Sequence, residues 1–110
     1  MPDTIRTYDE FWLHYLREHA KPQTRALHHV GTALALACLI GMILYGDLRL
    51  LLAAAVAGYA FAWIGHFMIE RNRPATFTHP VWSLISDFRM FFCWVTGRLA
   101  NELQRAGVRR

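Results

Sequence analysis

Ala26–Tyr45 reads ALHHVGTALALACLIGMILY, and Arg49–Ile69 reads RLLLAAAVAGYAFAWIGHFMI. Val30 to Gly46 holds no charged residue, and neither does Leu50 to Gly65. A helix needs roughly 20 mostly apolar residues to cross a bilayer, and each stretch supplies them. Only Gly46-Asp47-Leu48 lies between, so the two helices turn back on one another. The chain has 110 residues, which fits one domain, 1–110. Its composition is 55% hydrophobic, and it has too little other material to cover both helices in a soluble core. The expected fold class is therefore all-α integral membrane: a two-span antiparallel hairpin, 26–45 and 49–69. Gly31, Ala35 and Cys38 mark one side of the first span, and Ala55, Ala62 and Gly65 one side of the second. Small residues let membrane helices approach closely.

The flanks carry amphipathic patterns. Thr7-Tyr8-Asp9-Glu10 has the form of a capping box. A helix over 8–20 follows, with Tyr8, Trp12, Tyr15 and His19 on one stripe, an aromatic face suited to the membrane interface. Pro22 ends it. A polar loop runs from Glu70 to Phe77, and Pro80, a residue suited to a first helical turn, opens a helix over 80–104. Asp87, Arg89 and Arg98 argue against a third span there. This helix is expected to lie in the interface and pack on the hairpin mouth.

Charge sets the expected orientation. Of twelve Lys/Arg, four precede the first span, seven follow the second, and only Arg49 lies at the connection. Cytoplasmic flanks are enriched in Lys/Arg, so both termini are expected in the cytoplasm. Because the basic residues track the membrane flanks, no nucleic-acid role is expected. The first 25 residues lack the pattern of a secretory leader, so the first span is expected to act as its own insertion signal. Cys38 and Cys93 have no metal-type spacing and are read as small packing residues, without a disulfide.

Six histidines remain to be placed: His14, His19, His28, His29, His66 and His79. His28 lies nineteen positions before Asp47 and His66 nineteen after it. In an antiparallel hairpin both reach one depth, roughly 28 Å from the turn at 1.5 Å per residue. His19 returns to the same edge from the preceding helix. His29 lies about 100° around the helix from His28, so both cannot enter one site. Glu70 stands four residues after His66, on the same α-helical face, where it is either a ligand or an ion-pair partner of Arg71 or Arg73. Imidazole suits Zn, Fe, Cu and Ni. Two or three His with open positions suit non-haem Fe(II) and oxygen, and a catalytic zinc site would look the same. Ser83, Asp87, Phe91 and Trp94 fall on one helical face, and the two aromatics mark it as the buried one. A carboxylate there must be paired, either with a ligand imidazole or with Arg25 or Arg73.

The stretch Phe11-Trp12, Tyr15-Leu16, His19, Pro22, Arg25, His28 and Gly31 has the pattern His-x-x-Pro-x-x-Arg-x-x-His-x-x-Gly. A second stretch runs Gly58-Tyr59, Ala62-Trp63-Ile64-Gly65-His66-Phe67, Glu70, Asn72 and Pro74-Ala75-Thr76-Phe77. It continues through Pro80, Trp82-Ser83-Leu84 and Asp87-Phe88-Arg89-Met90. Over roughly residues 8–100 these resemble the family of the yeast 2-hydroxy fatty acid dioxygenase, which acts in phytosphingosine degradation. The resemblance implies an Fe(II)-dependent membrane enzyme of fatty acid α-oxidation that uses O2 to shorten a 2-hydroxy fatty acid by one carbon. It implies His19, His28 and His66 as catalytic metal ligands; Glu70, on its spacing from His66, is a fourth candidate. His79 and Asp87 are expected behind the ligands, and Arg25 or Arg89 as partner of the substrate carboxylate. Implied partners are the lipid bilayer, a fatty acid and O2, with self-association open. The implied location is a bacterial inner membrane.

Two other metal classes and one non-enzymatic class compete. Di-iron lipid hydroxylases use His-x-x-x-His and His-x-x-His-His boxes, and none occurs here. A bis-histidine haem protein would show a Soret band. A membrane scaffold or lipid-binding module would tolerate loss of any histidine. The topology has its own test. A cysteine placed at Asp47 is expected to be labelled from outside the cell, and cysteines at Thr4 and Gly107 to be protected; the opposite pattern refutes the orientation.

Overall fold

A computed structural model describes residues 5–108, so the Thr4 probe position lies outside the described residues. Every regular element among them is helical. Helix α1 spans Tyr8–Arg17, α2 Pro22–Tyr45, α3 Arg49–Ile64, α4 Pro80–Val95 and α5 Leu99–Arg105. A π-helical segment, Gly65–Glu70, extends α3, and one 3-10 turn covers Ala75–Phe77.

Local chemistry sets each boundary. The Thr7 hydroxyl accepts the Glu10 amide at 3.2 Å and starts α1. Expected to run to residue 20, α1 stops at Arg17, and the turn that follows frees His19 from the helix. Pro22 opens α2 four residues before the expected start, so the helix takes in Thr24 and Arg25. Gly46, at φ +67°, ends it in the left-handed conformation that glycine adopts without strain. The expected helix over 80–104 is two helices. Gly97 sits at φ +78°, and the Arg98 amide bonds back to the Cys93 carbonyl at 2.7 Å. That left-handed glycine follows the end of α4, and α5 starts at Leu99.

Helices α2 and α3 meet in reverse order along their lengths. Gly65 faces Thr24, Gly31 faces Ala57 and Phe61, and Gly41 faces Leu50. At Gly31 the approach is closest: a Cβ there would stand 3.0 Å from both the Ala57 carbonyl oxygen and Phe61 Cβ. Two helices, Pro22–Tyr45 and Arg49–Glu70, are long and apolar enough to cross a membrane. Their outer faces are uncovered, with Leu34, Ile40, Ile43, Leu44, Leu52 and Val56 all exposed.

The core of large side chains lies at one end of this pair. Phe11, Trp12, Tyr15 and Leu16 of α1 pack with Met90 of α4 and with Leu99, Leu103 and Ala106 around α5. The aromatic stripe of α1 is thus protein core. Trp12, Tyr15 and His19 are buried, because α4 and α5 cover the face expected to meet lipid. Polar ties fix this layer. Trp12 Nε1 donates to Glu102 at 2.7 Å, and the Arg89 guanidinium lies 4.1 Å over the Trp12 ring. The buried face of α4 is Ser83, Ser86 and Met90, while Trp94 is half exposed and stacks on His29 at 4.4 Å.

The seam between α2 and α3 gives a paired expectation. Gly31→Ala forces backbone apart and should cost about 1–3 kcal/mol. A Cβ at Gly58 meets only Ala35 Cβ at 3.8 Å, and alanine is the better helix former by about 1 kcal/mol. Thermal unfolding in a single detergent should show Gly31→Ala melting below the parent and Gly58→Ala at or above it. Equal melting would refute the close approach at Gly31.

Candidate metal centre

Three chain segments deliver one imidazole each to the end of the α2–α3 pair nearest α1. His19 stands in the turn after α1, where its amide bonds to the Leu16 carbonyl at 3.1 Å. His28 faces inward from the second turn of α2. His66 is the second residue of the π-helical segment, which ends with the Asn72 amide on the His66 carbonyl at 2.9 Å. Such segments concentrate at functional sites. All three rings are buried, and one nitrogen from each lies within 4.8 Å of the others. Ring centroids are 4.4 Å apart for His19–His28 and His19–His66, and 5.6 Å for His28–His66.

The outer nitrogens fix which atoms converge. His19 Nδ1 lies 2.7 Å from the Tyr15 carbonyl, which only accepts, so Nδ1 carries the proton and Nε2 is a lone pair. His66 Nδ1 lies 2.7 Å from Asn72 Oδ1. The Asn72 amide is oriented by Nδ2 donating to the Glu18 carbonyl at 3.1 Å, so His66 also presents a lone pair at Nε2. His28 Nε2 stands 2.9 Å from His19 Nε2, and a carboxylate oxygen of Asp87 stands 3.6 Å from His28 Nδ1. His28 either donates its proton to His19 or carries it on Nδ1 toward Asp87, which completes a set of three lone pairs. Burial and the two neighbouring rings hold the His19 imidazole well below its usual pKa, in the neutral form a ligand requires.

This donor set fits a divalent transition metal. Nitrogens 2.0–2.1 Å from one ion and at right angles to each other lie about 3 Å apart, and His19 and His28 are at 2.9 Å. Three neutral imidazoles hold the ion while leaving its other positions open. Two of the rings have a hydrogen-bonded outer partner, the Tyr15 carbonyl and the Asn72 amide, and the third faces the Asp87 carboxylate at 3.6 Å. Such partners orient the ring and raise ligand basicity.

Residues 5–99 match the family model described as Mpo1-like, 2-hydroxy-palmitic acid dioxygenase Mpo1-like. The chain belongs to the Mpo1-like family. No curated protein and no solved structure matches it. The matched segment of this Mpo1-like chain contains all three clustered histidines and their outer partners.

Among the described residues the structure brings together His19, His28, His66 and Asp87. It places the other expected site residues elsewhere. Glu70 is outside the group: its carboxylate accepts the Lys21 amide at 2.6 Å, at the start of α2. His79 caps α4, bonds to the Thr78 hydroxyl at 2.9 Å and stacks on Trp82. Arg25 is buried, and its Nη1 donates to the His19 and Ala20 carbonyls at 2.8 and 2.9 Å. It therefore ties down the turn that carries His19. Arg89 lies on Trp12, 3.7 Å from Glu102. Neither arginine lines the spaces beside the imidazoles. Asp87 accepts the Tyr15 hydroxyl at 2.6 Å, and burial pushes its carboxyl up to about 7. Its neighbours are Tyr15 and His28; the alternative pairing with Arg25 or Arg73 does not form.

Tyr15 and Asn72 were not expected as site residues. Tyr15 had a signal, four residues before His19 on one helical stripe. Asn72 stood in the second quoted stretch, but nothing in its spacing tied it to His66, because that contact depends on the π turn. Two spaces adjoin the cluster. One of about 10 Å³, room for one water, touches Tyr15, His28, Tyr59, His66 and Asp87. A larger groove of about 300 Å³ shares His28, Tyr59 and Asp87 with it.

Asp87→Asn is expected to lower metal affinity about 10–100-fold while the protein still folds and inserts. Glu70→Gln is expected to keep the parent affinity, since Glu70 serves the backbone at Lys21. Titration against a competing chelator measures both, and the reverse ranking would exclude the three-histidine assignment.

Proposed function

We propose that the chain is an Fe(II)-dependent dioxygenase that shortens 2-hydroxy fatty acids by one carbon at a membrane surface. The observation that carries this reading is the buried trio of imidazoles with Nε2 atoms turned inward and Nδ1 atoms held from outside. Membership of a family described as a 2-hydroxy-palmitic acid dioxygenase supports the reaction class. The overall change balances: a 2-hydroxy acid and O2 give the acid one carbon shorter, CO2 and water. Carbon–carbon cleavage by O2 needs one-electron chemistry that Fe(II) supplies and amino-acid side chains do not.

The protein's own groups hold and orient. His19, His28 and His66 would hold the ion, and the Tyr15 carbonyl and Asn72 amide keep two of them in the ligating tautomer. Asp87 faces Nδ1 of His28 at 3.6 Å and favours the tautomer with its proton there. Tyr15 and Met90, fully buried, close the side toward α1 and α4 to water. The small space beside His28 and His66 admits a diatomic or a substrate hydroxyl and little else.

In this reading α2 and α3 with its π extension span the bilayer as a hairpin. A bare face of aliphatic side chains is costly in water and favourable in lipid. Val81, Ile85, Phe92 and Val95 of α4 are also exposed and would rest in the interface, beside the mouth. Both termini would lie on the cytoplasmic side, and O2 and the fatty acid would arrive through the membrane.

Purified anaerobically with Fe(II), the protein is expected to bind about one iron per chain. On admission of O2 it should convert 2-hydroxypalmitate to pentadecanoate. His19→Ala, His28→Ala and His66→Ala should each abolish conversion and most iron binding while the protein remains inserted. Intact 2-hydroxypalmitate with iron-loaded parent protein would sink the proposed reaction. Unchanged iron binding in all three variants would sink the site.

A further inference from the structure

The groove of about 300 Å³ lies between α2, α3 and α4. Its polar lining is confined to one end. Along α2 the residues run His28, Thr32, Ala35, Leu39, from polar to apolar. Along α3, in reverse chain order, they run Tyr59, Gly58, Ala55, Ala54, Leu51. Leu39 and Leu51 fall at the same far end, because α2 and α3 meet in reverse order and Gly41 faces Leu50 just beyond. Asp87 covers the polar end, with Leu84 and Phe88 beside it. The room exists because its floor is made of Ala35, Ala54, Ala55 and Gly58, where larger side chains would fill it.

We propose that this groove holds the acyl chain of the substrate in one direction, with the hydroxy-carboxylate head at His28 and Asp87 and the tail pointing toward Leu39 and Leu51. The assignment rests on the reading above that the substrate is a 2-hydroxy fatty acid. Its direction comes from the polarity gradient, since a carboxylate or hydroxyl placed among Leu39, Leu51 and Ala54 would lose its hydrogen bonds. The head then adjoins the water-sized space that touches His28 and His66, next to the inward nitrogens. A phospholipid fits poorly. His28 is 4% exposed and Asp87 17%, so the polar end admits a small head and excludes a phosphodiester.

Two consequences follow from the dimensions. Eleven residues of α2 separate His28 from Leu39, about 16 Å of helix. At roughly 1.2 Å per chain atom that takes about a dozen carbons, and the remainder of a longer chain passes beyond Leu39 and Leu51. Leu51 and Leu84 on the rim are half exposed, so the groove opens sideways. A fatty acid already dissolved in the bilayer enters through that opening without crossing water.

Photolabelling tests the direction without needing turnover. Two 2-hydroxyhexadecanoic acids carry a diazirine, one a few carbons from the head and the other about ten carbons further along. Iron-loaded full-length protein in phosphatidylcholine vesicles is irradiated without O2, and the labelled residues are mapped by mass spectrometry. The near probe is expected on Ala35, Gly58 or Phe88, and the far probe on Leu39, Leu51 or Ala54. Excess 2-hydroxypalmitate should reduce both labels. Gly58→Leu should cut labelling at least fivefold with iron retained, and Ala55→Phe, placed on the open side, should do the same should Gly58→Leu fail to fold. Labels with the two probes exchanged, labels on the outward residues Ile43, Leu44, Leu52 and Val56, or undiminished labelling of the filled groove would each overturn the proposal. Saturable, correctly ordered labels on a protein that leaves 2-hydroxypalmitate intact would retain the groove and reject the reaction.

Discussion

His19 Nε2 and His28 Nε2 face each other at 2.9 Å, and both rings are buried. Two lone pairs cannot share that gap, so it must hold either a proton or a cation. The Tyr15 carbonyl keeps the His19 proton on the far side of its ring, so His19 offers only the lone pair. His28 is the ring with a choice, and Asp87 is the group that makes the choice possible. Isolated buried polar groups cost several kcal/mol, so none of these partners is replaceable by an apolar residue without stranding another. Through them, the turn after α1, the second turn of α2 and the π-helical end of α3 are held to one point.

The rest of the chain is arranged in two layers around that constraint. Along α2 and α3, small residues bring backbones together and leave the outer faces apolar, which builds a thin, rigid support. Beyond the imidazoles, α1 is gripped by α4 and α5 through large aromatics and a charged ring. Trp12 bonds Glu102, Arg105 also bonds Glu102 at 2.8 Å, and Arg89 lies on the indole. Without that grip α1 would have only its capping threonine and ten residues of helix, too short to persist alone. The outer layer therefore positions Tyr15 and His19, and the inner pair positions His28 and His66.

The histidine set was legible because an antiparallel turn equates depths on either side of Asp47, a relation that needs no side-chain detail. Asp87 was legible as a carboxylate that must be paired. Other readings failed where the assumed geometry failed. Glu70 was placed beside His66 by helical phase, but its carboxylate turns to the Lys21 amide at the start of α2 instead. On α1 and α4 the difficulty is different. Where a chain is expected to meet lipid, an aromatic stripe marks a buried face and a lipid-facing one equally well. The stripe of α1 proved to be core, while on α4 the small and flexible set Ser83, Ser86 and Met90 took the inside and left Trp94 half exposed. Gly97 carried a usable signal, a glycine placed to end a helix, which the long amphipathic pattern around it obscured.

Because the three clustered histidines come from separate segments, binding of a metal by them would be thermodynamically one event with the docking of α1. A cation that binds only the assembled site stabilises the assembly by mass action. Yet the metal-free arrangement is not left without a bond, since His28 can donate to His19 across the same 2.9 Å. Exchange between the two states requires that the His28 proton move from Nε2 to Nδ1, the side that faces the Asp87 carboxylate at 3.6 Å. A buried site whose three rings already stand together before an ion arrives would lose little binding free energy to ordering the chain. Arg25 contributes to the same end. Its guanidinium holds the His19 and Ala20 carbonyls, so the turn that carries His19 is fixed by the helix that carries His28.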